Sequence, residues 1–93
     1  GRELDLRVDE AWTRHQTALM SVERYRDGIV PSAASAMELS NLAYRAGEVS
    51  LLEVLDAYRV LLEVRVEEAD EQLELQLAIE EILALMGDKN HGS

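Results

Sequence analysis

Tyr44-Arg45-Ala46-Gly47-Glu48-Val49-Ser50-Leu51-Leu52-Glu53 holds a helix stop and a helix start within four residues. Gly47 suits the left-handed conformation that closes a helix C-terminus, because it has no Cβ to clash there. Ser50 suits the N-cap of the next helix, and Glu53 three residues later completes the Ser-x-x-Glu capping-box pattern. A stop followed at once by a start leaves room only for a tight reversal.

Working upstream, Leu4, Val8, Ala11, His15, Ala18, Val22, Tyr25 and Ile29 recur with alternating steps of four and three. That is the heptad seam of a helix packed along one partner. The same phase continues through Ser32, Ala36, Leu39, Ala43 and Ala46, across the lone proline Pro31. A kink keeps phase, whereas a break usually resets it. The phase therefore predicts one helix over about 3–46, kinked near 27–31, where Gly28 softens the chain and Pro31 lacks a donor and crowds the Asp27 carbonyl. A full break giving three helices is the alternative.

Downstream, a second helix is expected over about 51–86, ended by Gly87, with 88–93 as a disordered tail or tag remnant. It carries two apolar stripes. One is Leu51, Leu55, Tyr58, Leu62, Val66, Ala69 and Leu73; the other is Val54, Leu61, Val64, Leu75, Ile79, Ile82 and Met86. A hairpin partner covers only one narrow stripe. Trp12, Leu19, Met20, Val30 and Met37 also lie off the first helix's seam. The surplus is closed either by self-association or by other helices in a larger wall. The expected fold is all-α: a long antiparallel two-helix coiled-coil hairpin over 1–87, turning at 47–50.

Composition supports this and removes several functions. Among 93 residues there is one proline, five glycines and no cysteine, so neither a disulfide framework nor a thiolate metal site is available. No run alternates long enough to make a strand, and no apolar run approaches the ~18 residues of a membrane span. No leader is present; an exported parent would carry its signal outside this chain. The net charge is −10, with seven acids and six arginines in 2–46 but ten acids and two arginines in 51–86. So acidic a helix opposes binding to nucleic acid or anionic membranes. Most of these acids read as a solvated helix face.

No catalytic constellation is found, and the chain is not expected to be an enzyme or to hold a metal or cofactor. His15 lies on the seam as a packing residue and His91 lies in the tail. Neither follows a glutamate by three, as a di-metal carboxylate bundle requires. The pairs Glu67-Glu68 and Glu80-Glu81 are adjacent, so they point in different directions. There is no glycine-rich phosphate loop.

The stretch Leu42-Ala-Tyr-Arg-Ala-Gly47-Glu-Val-Ser-Leu-Leu-Glu-Val-Leu-Asp56-Ala resembles the TolC-like outer-membrane efflux family, with its tyrosine, glycine and Leu-Asp-Ala run. Tyr25-Arg-Asp-Gly-Ile-Val-Pro31 resembles a segment of that family's heavy-metal and cation export branch, and Leu83-Ala-Leu-Met-Gly87 its closing helix. The resemblance covers about residues 10–87. It implies the last helical hairpin of one subunit of a homotrimeric channel, on the periplasmic side of the bacterial outer membrane. There it would line the tunnel wall and dock the periplasmic adaptor of a tripartite pump, linked indirectly to the inner-membrane pump. The implied docking tip is Tyr44, Arg45, Gly47, Glu48, Val49 and Ser50, with Tyr44 tying neighbouring hairpins together. The implied entrance constriction is Glu53 and Asp56. In three copies these would set six carboxylates around a narrow opening, favouring cations. The basic latch of the best-known members would fall near Val49, where this chain has no basic residue; Arg45 is the candidate substitute. Two other readings stand beside this one: the coiled-coil hairpin of the adaptor itself, and a stand-alone helical interaction module.

Overall fold

The chain is a helical hairpin, in which one long helical path reverses into another. The computed structural model describes residues 1–91, and the side chains of 1–87. The first path comprises α1 (Arg2–Arg24), a π-helical turn (Tyr25–Ile29) and α2 (Val30–Arg45). After the reversal, α3 runs from Leu51 to His91. No strand occurs among the described residues.

The helical path is not broken at Pro31; next to the kink expected near 27–31 it passes through the π turn at Tyr25–Ile29. The flanking residues Arg24, Ile29 and Val30 all keep right-handed helical angles, and Val30 N–H bonds to Tyr25 O, five residues back. A π turn accommodates one residue more than an α turn. The widening falls just where Pro31 removes a donor and its ring presses on the preceding turn.

The extra residue has a consequence that overturns one expectation. Each residue advances a helix by roughly 100°, so the seam after the π turn moves on by one position. Ala33, Met37 and Ser40 are half-buried, whereas Ser32, Ala36, Leu39 and Ala46 are exposed. The heptad phase does not run through Pro31; of its downstream members only Ala43 is half-buried.

The chain divides into two compact units. In the unit of residues 1–22 and 70–93, Ala11, Ile82 and Leu85 form a buried cluster with Leu4 and Val8 packed against it. Ala18, Val22 and Ala78 are buried in the same unit. Arg14 Nε donates to Glu81 Oε2 at 3.2 Å, and its Nη2 pairs with Oε1. Both side chains are largely exposed, so this pair contributes at most about 1 kcal/mol.

In the unit of residues 23–69, Val54 and Leu61 are buried and Ala57, Val64 and Glu68 half-buried. Here Tyr25 Oη donates to Glu67 Oε2 at 3.4 Å, from the start of the π turn. Asp27 sits beside Arg26 at 2.8 Å, and the hydrogen bond from that guanidinium holds its carboxyl below the usual range.

Of the two stripes on α3, the one containing Val54, Leu61, Val64, Leu75 and Ile82 turns inward, joined by Ala57, Ala78 and Leu85. The other, from Leu51 to Leu73, is exposed throughout. Gly87 does not end α3: its φ is not positive, and the helix continues to His91. The tail expected at 88–93 is therefore helical through 91, and 92–93 lie outside the described residues.

Adjacent leucines distinguish the stripes. In dilute solution Leu61→Ala should cost about 2–4 kcal/mol in a urea melt, while Leu62→Ala should stay within about 0.5 kcal/mol. Equal losses would contradict this assignment. Asp27 provides a pH test. Its lowered pKa contributes stability above the ordinary carboxylate range that is lost as pH falls through the depressed value. By NMR titration, its midpoint should lie below 3.8 and rise in Arg26→Ala.

Candidate functional site at the helix reversal

The reversal is built from backbone hydrogen bonds. Ala46 is the C-cap of α2, and Gly47 follows with φ +78°. Gly47 N–H bonds to Tyr44 O at 3.0 Å and Glu48 N–H to Ala43 O at 2.8 Å. These are the two bonds of a Schellman motif, and they satisfy carbonyls that the helix end leaves open. Val49 is half-buried. Ser50 then caps α3: Glu53 N–H bonds to Ser50 Oγ at 3.3 Å and to Ser50 O at 3.2 Å. The serine half of the capping box is thus formed, and the Glu53 carboxylate remains exposed.

The expected tip residues cluster at this reversal. Tyr44, Arg45, Gly47, Glu48 and Ser50 are all exposed. Neither Tyr44 nor Arg45 has a hydrogen bond or ion pair to Glu53 or Asp56 among the described residues.

Glu53 and Asp56 line one open groove with Ser40, Leu52, Leu55, Ala57 and Arg59. Asp56 is not a bare anion. Arg59 donates to Asp56 Oδ1 from Nη2 at 2.8 Å and from Nε at 3.2 Å, and its Nη1 pairs with Glu63. The hydrogen bond with Asp56 is the foremost reason that the guanidinium is held above its ordinary pKa, followed by the charge of Glu63. Arg59 is the residue that the sequence reading missed. Its signal was present as Asp56-x-x-Arg59-x-x-x-Glu63, spacings that place three charges on one helix edge.

His15 packs edge-on against Trp12, with ring centroids 5.6 Å apart at 74°. Among the described residues no three His, Asp or Glu side chains converge as metal ligands, and no helix is long and apolar enough to cross a membrane. The site offers shape and charge: a rigid reversal with polar tips, and an acidic groove one turn inside it.

No protein-family model, curated protein or solved structure matches the chain.

The tip should depend on its two specialised residues. Gly47→Ala forces a Cβ into the left-handed region and should cost about 1–2 kcal/mol. Ser50→Ala should cost about 1 kcal/mol through the lost cap. Amide exchange at Gly47 and Glu48 should speed up in Gly47→Ala; unchanged exchange would mean the Schellman bonds do not hold the turn.

Proposed function

We propose that the chain is a helical hairpin from the periplasmic α-barrel of a TolC-like outer-membrane efflux channel, whose reversal is the tip that docks a periplasmic adaptor. The observation that carries this reading is the union of a hydrogen-bonded, solvent-exposed tip with an apolar stripe that the hairpin leaves uncovered. A tip held by a Schellman motif and a serine cap presents Tyr44, Arg45 and Glu48 at low conformational cost to a partner. The uncovered stripe on α3 fits a hairpin that stands beside others in a wall, and fits poorly with a module that closes its apolar surface internally.

In this role the chain performs no covalent step. The wall guides substrates, and energy comes from a pump in the inner membrane. Glu53 and Asp56 would lie one turn inside the entrance, in three copies around the axis. The Arg59 partnership modifies that picture. Each Asp56 carries its own counter-charge, so Glu53 is the stronger contributor to cation attraction and Asp56 the tunable one.

Conductance of the parent channel in planar bilayers tests the reading. Glu53→Ala with Asp56→Ala should weaken block by divalent cations and lower cation selectivity. Arg59→Ala, which unpairs Asp56, should strengthen the block. Cation selectivity and block unchanged in all three variants would contradict the entrance assignment.

A further inference from the structure

The exposed stripe of α3 has a symmetry that specifies an occupant. Leu55 is 54% exposed, Tyr58 45%, Leu62 62% and Val66 62%, and Ala69 is exposed as well. Leu55, Tyr58, Leu62 and Val66 line a single open groove with Arg59, Glu63 and Glu67. The spacing from Leu55 to Ala69 is 3, 4, 4, 3, which reads the same in both directions about Leu62. A second, antiparallel α3 laid on the first would therefore find an apolar residue opposite every apolar residue. Leu62 meets Leu62, Tyr58 meets Val66, and Leu55 meets Ala69. Larger side chains face smaller ones at the latter two pairs, as close packing requires. In sequence the same symmetry extends outward to Leu51 and Leu73.

Charge selects the same arrangement. A two-fold axis that reverses one helix against another brings like edges together, so the edge holding Arg59, Glu63 and Glu67 meets its own copy. Arg59 lies three residues to one side of Leu62. On that side, Glu63 and Glu67 of the second copy lie one and five residues from the centre. Arg59, bonded in its own chain to Asp56 and Glu63, thus also falls between two carboxylates of the other chain, and the symmetry makes this contact twice. A parallel pair in register sets each residue level with its own copy and places no carboxylate pair around Arg59 in this way. The opposite edge of the stripe holds Ala57, Leu61 and Glu68, which are buried or half-buried, and the exposed Arg65.

We infer that this face is an isologous interface with a second copy of the chain, antiparallel about Leu62, with Arg59 bridging Glu63 and Glu67 of the other copy. The contact is a property of the free hairpin; it uses the stripe that the channel reading gives to neighbouring hairpins, so the two occupants exclude each other on that face. The apolar patch is small, so the dimer is weak and concentration-dependent. The acidic edge also sets Glu63 near its own symmetry mate, which opposes association and keeps the dimer weak.

The chain has no cysteine, so a single introduced thiol reports its own neighbour. Under mild oxidation of the full chain at submillimolar concentration, Leu62→Cys should form a disulfide-linked dimer with itself. Leu55→Cys alone should not, but a mixture of Leu55→Cys and Ala69→Cys chains should cross-link to each other. In sedimentation equilibrium, Arg59→Glu should weaken association roughly tenfold. Adding Glu63→Arg and Glu67→Arg to that variant should restore it. The proposal is overturned if Leu62→Cys, shown helical by circular dichroism, stays monomeric. It is also overturned if Leu55→Cys links to itself as readily as Leu62→Cys, which marks a parallel pair, or if charge reversal at Arg59 leaves association unchanged.

Discussion

A narrow seam of alanines and aliphatic residues holds this hairpin together, and most of its other properties follow from how little that seam covers. Among the described residues the buried ones are Ala11, Ala18, Val22, Val54, Leu61, Ala78, Ile82 and Leu85, three of them alanines. Alanine lets helices approach closely but removes little surface from water, whereas a fully buried valine or leucine is worth about 1.5–3 kcal/mol. The core is thin, and large apolar side chains are left outside it. Leu39 is 66% exposed and Leu52 75%. A chain with such an outer surface is suited to being one element among several, whether its neighbours are other hairpins or a second copy of itself.

The reversal was legible because its chemistry is local. A glycine with positive φ and a serine that caps the next amide are specified by the residues themselves. Gly47 and Ser50 therefore behave as their identities indicate. The same logic failed at Gly87, where a glycine near the end of an apolar pattern sits inside a continuing helix. Glycine permits a left-handed stop but does not compel one.

The phase beyond Pro31 was not legible, for a physical reason. Ser32, Ala36 and Leu39 continue the heptad in sequence, but a π turn inserts one residue into the count and rotates them outward. The choice between the two stripes of α3 was likewise beyond periodicity. The stripe of Leu51, Leu55, Tyr58 and Leu62 is the more uniformly apolar, yet it faces out. The inward stripe includes Ala57 and Ala78, and half-buried Glu68 and Glu71 continue its spacing. Such carboxylates are tolerated where their aliphatic stems pack and their heads reach water. Arg59 was not legible as a site residue because catalytic and metal-binding patterns do not include an exposed arginine, even one bonded to Asp56.

The central claim is that the π turn sets which face of α2 meets α3, and with it which surfaces remain open. Thiol reactivity of single cysteines placed along α2 of the monomer measures this directly. Cysteines at Ala33, Met37 and Ser40 should react slowly, and those at Ser32, Ala36 and Leu39 rapidly. Slow reaction at Ser32, Ala36 and Leu39, with rapid reaction at Ala33 and Met37, would show an uninterrupted heptad and contradict the account.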